Sequence, residues 1–299
     1  MAATEVVLTP AALRSAPGPS EGELAGLEAQ GPPPSRRLSW TALGRWLLRF
    51  ASLALAVGAW ELLSRHDVEM GLRFSKLPAP SEVASELSRS LSSRIFYTHI
   101  GASLRRILTG FVLATVSGVV VGVAVARSRL VSDLLRPVLE VIRPIPAIAW
   151  VPLAILLFPT SEGGIVFITY LASFFPVVVS TRHAVRALPL VWEEAARTMG
   201  AGRGVVLWRV VLPGSLPGIF SGLSVAMGVA WICVISAEMI SGQYGIGYFT
   251  WQSYGLINYP GVIVGMLAIG LLGWQSAALI ELAGRRMTRW LPRAETGRR

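Results

Sequence analysis

Charged residues, cysteine and histidine are all scarce in this sequence, and each scarcity excludes a class of protein or a kind of site. Charged residues make up 15% of the 299-residue chain, whereas soluble domains average about 25%. The single cysteine, Cys233, excludes an intrachain disulfide framework and a cysteine-based metal site. The three histidines lie far apart without ligand spacing, so we expect no metal site.

Long uncharged stretches are abundant, and the hydrophobic fraction reaches 53%. A helix that crosses a bilayer needs roughly 20 apolar residues. The uncharged stretches therefore predict an all-α, polytopic membrane protein with six transmembrane helices. The expected spans are about 46–64, 107–126, 138–158, 163–181, 214–240 and 262–283.

The two ends of the chain differ from this apolar centre. Residues 1–41 are rich in proline, have low hydrophobicity and lack a periodic apolar face, which predicts a disordered tail. The tail also lacks the basic start and apolar run of a cleavable signal peptide. We expect the transmembrane domain to cover 42–293 and a short second tail to cover 294–299.

Basic residues are distributed unevenly between the connections. If both termini lie on one side, that side carries 19 of the 27 Lys and Arg residues. Seven, all within 65–106, lie on the other side, and Arg143 falls inside a span. The excess predicts that both termini are cytoplasmic. These arginines follow the ends of the spans, where they contact anionic lipid headgroups. No nucleic-acid motif accompanies the net charge of +10, so nucleic acid is not an expected partner.

The third span and the connection before the second span contain further signals. Prolines at 137, 144 and 146 predict a broken third span, which is tolerated in a membrane where it lines a cavity. Glu140 and Arg143 are three residues apart and can pair on one helical face. Arg143 is either a charge in a transport pathway or part of a structural pair, and the spacing from Arg136 favours the pair.

Outside the membrane, 82–104 predicts an amphipathic helix with Ser81 as its N-cap.

The cytoplasmic loop at about 187–213 carries the most specific pattern. Its residues 191–199 favour a short helix, ended by Gly200 in a left-handed conformation. Ala195 and Ala196 would make one face small, and Glu194 would supply a charge for a partner. An ordinary amphipathic connector is the alternative interpretation of this stretch.

With its Glu-Ala-Ala, three residues, Gly spacing and the later Leu212-Pro213, this loop resembles the signature loop of ABC-importer permeases. Those permeases work with a substrate-binding protein. The resemblance covers about 43–290. Within it, the sequence is similar to the branch of the family that imports nitrate, sulfonates, taurine or bicarbonate. The stretches that match this branch are 77–82, 103–106 with 110–111, 143–150, 174–176, 237–239 and 245–248. The implied fold is that of a type I ABC importer permease.

The resemblance also implies a mechanism and a set of partners. The loop helix would dock into one of two cytoplasmic ATPase subunits, and a second, identical permease copy and an extracytoplasmic binding protein would complete the importer. The residues at the matching or adjoining positions of the loop are Glu193, Glu194, Ala195, Ala196, Gly200 and Ala201. The chain would then be a transport subunit of a bacterial inner membrane and not an enzyme. It has no phosphate-binding Gly-x-x-x-x-Gly-Lys motif, so ATP would bind to the partners and no cofactor to this chain.

Glu140, Arg143 and Glu238 are the candidates for the pathway. Glu238 ends the fifth span on the outer side, where a carboxylate would repel an anion, so a gate or structural partner is favoured over a ligand. An ATP-independent secondary transporter is the alternative function. It would need carboxylates at mid-membrane, which the spans lack. A membrane enzyme would need a buried nucleophile with a base, and no histidine falls well inside a span.

Glycines four residues apart recur in three spans. Such pairs let helices approach closely. We expect most of them to pack within one subunit, since membrane helices are rich in glycine generally. The pairs are Gly118 with Gly122, Gly218 with Gly222, and Gly261 with Gly265.

Overall fold

The computed structural model describes residues 42–66, 77–241 and 243–290. The predicted tails, 1–41 and 294–299, lie outside these residues. The chain divides into two compact units, Met1–Ala56 and Val57–Arg299. Of the first unit, the structure describes only residues 42–56, the beginning of the first helix.

Every regular element in the described ranges is helical. Five helices are long and apolar enough to cross a membrane, and counting the bent pair Arg129–Ile142 with Ala147–Leu157 as one broken span gives six. The prediction of an all-α protein with six spans is therefore confirmed. The helices are α1 (Ala42–Arg65), α2 (Pro80–Ser92), α3 (Arg94–Arg127), α4 (Arg129–Ile142), α5 (Val151–Leu157), α6 (Ser161–Arg186), α7 (Leu190–Thr198), α8 (Arg203–Ser241), α9 (Ile246–Gly255) and α10 (Tyr259–Met287).

The third span is broken, as its prolines predict. Helix α4 and the segment Ala147–Leu157 meet at an angle of 85°. Pro144 and Pro146 lie in the break, because proline has no N–H to continue a helical ladder. The helix begins at Arg129, nine residues before the predicted start of the span at about 138. The prediction was based on uncharged stretches, whereas the helix continues through charged residues.

The expected helix over 82–104 is wrong, because the chain bends at Ser93. This residue has extended backbone angles of φ −92° and ψ 122°, and the bend lets Phe96 pack against Val83 of α2 and Val264 of α10. The N-cap of α2 is Ala79 rather than the predicted Ser81.

Helix α6 packs against both α3 and α8, and the main apolar core lies among these three helices. Glycines bring the helices together. A Cβ atom added to Gly122 of α3 would lie 2.7 Å from the Cβ of Thr181, and one added to Gly222 of α8 would lie 2.1 Å from the Cβ of Ser180. Lipid provides no hydrophobic force between helices, so close van der Waals contact stabilises this packing. The expectation of packing within one subunit is confirmed for both glycines.

We expect Gly222→Ala to lower the apparent melting temperature of the purified chain, with a cost of about 1–3 kcal/mol from overpacking against Ser180. Gly228→Ala is the matched control in the same helix, because no neighbouring atom lies within 4 Å of its added Cβ. Equal melting temperatures for the two variants would contradict the close α6–α8 contact.

Candidate functional site

A cavity of about 540 Å³ lies beside the break in the third span. Its walls come from residues 143–148 of the bent segment, 171–180 of α6 and 225–233 of α8. Most of these side chains are apolar, and Arg143 is the one positively charged side chain among them. The bend thus places unwound backbone and one positive charge at an open cavity on the side of the helix bundle.

The predicted pair of Glu140 with Arg143 is wrong. The Nε atom of Arg136 donates to Oε1 of Glu140 at 2.6 Å, because Arg136 lies one turn earlier on the intact helix, whereas α4 ends at Ile142. Within the described ranges Arg143 has no ion pair and no side-chain hydrogen bond, and it is exposed. Its guanidinium is therefore available to a ligand in the cavity.

Further arginines surround this end of the cavity. Arg182 of α6 is close enough to Arg136, Arg143 and Arg186 to be repelled by their charges, and Glu140 is the carboxylate that attracts it. The Nε atom of Arg182 is buried without a hydrogen-bond partner in the described part of the chain. Asp133 also attracts Arg136, so four guanidinium groups face two carboxylates, and the excess of positive charge makes the region electropositive.

Helix α7 is the short helix predicted in the loop between the fourth and fifth spans. Gly200 follows it with φ +84°, the left-handed conformation expected from the sequence. Glu193 is 7% exposed, and its two carboxylate oxygens accept from the two Nη atoms of Arg127 at 2.5 and 2.9 Å. This bidentate pair fastens α7 to the end of α3.

The six predicted coupling residues divide between two faces of this loop. Glu193 and Ala196 point into the protein, and Ala196 packs beside Val206 and Val211. The expected small face of Ala195 with Ala196 is wrong, since adjacent helical side chains point about 100° apart. Of the six, Glu194, Ala195 and Gly200 are exposed, and Ala201 is half-buried. Met199, which the sequence did not single out, is 82% exposed beside them.

Glu238 occupies a buried ion-pair cluster at the end of α8 opposite to α7. Its side chain is fully buried. The carboxylate accepts from Ser103 Oγ at 2.7 Å, from Arg106 Nη1 at 2.9 Å and from the Gly247 backbone N–H at 2.9 Å. Glu238 does not line the cavity beside Arg143, and its oxygens are occupied, which is the geometry of a structural partner.

The same cluster holds the segment that leads to α9. Arg106 also binds Glu162 of α6 and the backbone carbonyl of Tyr244, and the Gly245 N–H donates to His99 Nδ1 at 3.1 Å. Gly245 has φ +142°, and a Cβ atom there would lie 2.2 Å from Cδ of Glu238. Only glycine allows the backbone to approach the buried carboxylate so closely.

Sequence reasoning assigned no role to His99, Ser103, Arg106 or Glu162. A usable signal was present, because Arg106 and Glu162 border uncharged blocks and Glu238 separates two of them. Helices α3 and α6 begin, and α8 ends, at one end of the bundle. Because successive spans run in opposite directions, Arg106, Glu162 and Glu238 lie at the same depth along the bundle.

Comparison with known proteins identifies relatives of this chain. Residues 114–289 match the family described as binding-protein-dependent transport system inner membrane component. The taurine transport system permease protein TauC of Escherichia coli is 31% identical over 267 residues, covering 86% of this chain and 94% of TauC. The nitrate import permease protein NrtB of Leptolyngbya laminosa is 32% identical over 158 residues, covering 53% of this chain and 57% of NrtB.

A solved structure shares the fold. The inward-facing MetNI methionine ABC transporter contains a chain that aligns with a TM-score of 0.54 at 21% identity, covering 67% of this chain and 97% of that one. The type I importer fold expected from the loop is thereby confirmed.

Proposed function

The chain belongs to the family of binding-protein-dependent transport system inner membrane components, and we propose that it forms the transmembrane pathway of an ATP-driven importer for a small anion. Two identical copies would enclose the pathway, with one Arg143 cavity in each. Taurine and nitrate, the cargoes in the names of two relatives, support the class of nitrate, sulfonates, taurine or bicarbonate.

The observation that carries the cargo class is the unpaired Arg143 in the wall of a mainly apolar cavity. Arg136, Arg182 and Arg186 add to its positive potential, and Glu140 and Asp133 reduce it. A positive potential in a medium of low dielectric constant attracts anions and opposes cations. We therefore assign Arg143 and its arginine neighbours to the pathway, and Glu238 to the support of the opposite end.

The proposed orientation places α7 and both termini in the cytoplasm. The distribution of the 27 Lys and Arg residues supports it. Helix α2, α9 and the Glu238 cluster would then face the extracytoplasmic side, where the binding protein delivers the anion. The membrane would be the inner membrane of a bacterium.

Coupling is proposed to run through α7. Glu194, Ala195 and Met199 are exposed and would contact one of two ATPase subunits. The Arg127–Glu193 pair would transmit a displacement of α7 to α3, and the π-helical turn Leu207–Val211 would receive it at the start of α8. ATP would bind to those subunits, while this chain would bind no cofactor and catalyse no reaction.

Reconstitution tests this proposal directly. The chain, its ATPase and its binding protein are placed in proteoliposomes, and uptake of labelled taurine, nitrate and bicarbonate is measured with and without ATP. We expect uptake of one of these solutes only with ATP and with the binding protein. Uptake by the chain alone, without ATP, would instead establish the secondary transporter.

Arg143→Gln is expected to lower the rate of anion uptake about tenfold, because hydrogen bonds to charged groups contribute about 1.5–3 kcal/mol. Arg143→Lys should retain more activity, since it keeps the charge but loses the planar donor fork. Arg129→Gln is the matched control, because Arg129 is an exposed arginine of α4 that does not line the cavity. Equal uptake by the Arg143→Gln and Arg129→Gln variants would exclude Arg143 from the pathway.

A further inference from the structure

A second cavity, of about 860 Å³, lies between the last turns of α3 and the start of α8. It shares no lining residue with the Arg143 cavity. One part of its wall is apolar, with Val120 and Val123 on α3 facing Leu207 and Leu212 on α8. The other part carries guanidinium groups, so the cavity is amphipathic.

Three arginines line this cavity, and one carboxylate neutralises them incompletely. Arg127 uses both Nη atoms on Glu193, and Arg197 lies at 3.5 Å from the same carboxylate. Arg203 is exposed and has no ion pair within the described ranges. The excess of positive charge suits an anionic group at Arg197 and Arg203.

The length of the apolar wall matches one leaflet of a bilayer. Val119 and Arg127 are eight residues apart on one helix, a rise of about 12 Å. One leaflet contributes about half of a hydrocarbon core of roughly 30 Å. Trp208 lies in the lining and is 72% exposed, as is typical of tryptophan where headgroups meet acyl chains. A ligand that fits would have an anionic head and an apolar tail about one leaflet long.

We propose that this cavity binds one anionic phospholipid, with its phosphate at Arg197 and Arg203 and an acyl chain along Val119, Val120 and Val123. Basic pockets between helices at a membrane face are suited to anionic headgroups. The lipid would contact α3, α8 and, through Arg197, α7. It would therefore stabilise the joint at which the loop helix meets the spans, whatever anion the importer carries.

Native mass spectrometry of the full-length chain in detergent tests the site. The probes are phosphatidylglycerol and phosphatidylcholine with identical acyl chains. We expect one phosphatidylglycerol to be retained in preference to phosphatidylcholine. The double variant Arg197→Gln with Arg203→Gln should lower its apparent affinity at least about tenfold, because charge-assisted hydrogen bonds to phosphate are lost. Arg209→Gln should have no effect, since Arg209 is exposed on α8, as Arg203 is, but does not line the cavity.

A second pair of variants tests the apolar wall. Val120→Trp should lower phosphatidylglycerol retention, whereas Val116→Trp should leave it unchanged. The two valines lie one turn apart on α3 with 63% and 62% exposure, and only Val120 lines the cavity. Inorganic phosphate should not displace the lipid, because it lacks the apolar part. Melting temperatures equal to that of the unaltered chain establish that each variant is folded.

Several results would overturn the lipid site. Equal retention of the two lipids, full retention by the double arginine variant, or displacement by inorganic phosphate would each do so. The same spectra report the oligomeric state, and a Val120→Trp variant that dissociates a dimer without any lipid loss would make the cavity an interface between copies. None of these results depends on transport, so they are separate from a failure of the importer proposal.

Discussion

Replacing Arg106 with alanine is expected to cost about 3–5 kcal/mol of stability, because it leaves a buried carboxylate without its cation. Glu238 is fully buried, and Arg106 is its ion-pair partner at 2.9 Å. The loss is a large part of a typical stability of about 5–15 kcal/mol. We expect the variant to be nearly absent from membranes when a fluorescent fusion is quantified.

Arg105→Ala is the matched control for that variant. Arg105 is the preceding residue and pairs with Glu162 at 2.8 Å, but its side chain is 70% exposed. Exposed ion pairs contribute only about 0–1 kcal/mol. The Arg105→Ala variant should therefore accumulate in the membrane nearly as well as the unaltered chain.

A double variant separates the lost ion pair from simple loss of packing. Arg106→Met with Glu238→Gln removes both charges at similar side-chain volume, so no isolated charge is left buried. Its loss of melting temperature should be clearly smaller than the sum of the losses of Arg106→Met alone and Glu238→Gln alone. Additive losses, or equal stability of the Arg105→Ala and Arg106→Ala variants, would show that the cluster does not hold these helices together.

Glu194→Arg combined with Gly200→Leu is expected to remove the ATPase from the purified permease, lowering its recovery at least about tenfold. Glu194 lies on the exposed face of α7, so reversing its charge opposes a complementary partner surface. At φ +84°, leucine in place of Gly200 adds strain of about 1–2 kcal/mol. The chain itself should remain in the membrane at normal abundance, since Glu194 and Gly200 are both exposed and lie outside the core.

Glu193→Gln provides the contrasting variant, because Glu193 is the adjacent residue but faces Arg127. It should weaken the attachment of α7 to α3 and lower the melting temperature while keeping the exposed surface unchanged. Co-purification measured by quantitative mass spectrometry distinguishes the two effects. If the Glu194 and Gly200 variant retains the ATPase and supports uptake, the coupling surface lies elsewhere.

The loop that contains α7 shows which contacts could be predicted from sequence and which could not. The helix of α7 and the left-handed Gly200 depend on a few consecutive residues, so local preferences were sufficient. The inward direction of Glu193 depends on Arg127, which lies 66 residues earlier at the end of another helix. Glu140 shows the same limit at short range, because its choice of Arg136 depends on where α4 ends.

The sequence by itself determined the transmembrane helices, the break in the third span and the family resemblance, since hydropathy, proline and short motifs act locally. Only the tertiary structure decided which charges pair and which remain free. Glu238 meets Arg106 across 132 residues of sequence, and Arg143 stays unpaired beside a cavity that three separate segments line. Such contacts depend on the relative height and rotation of packed helices, and these are set by long-range packing that no local pattern encodes.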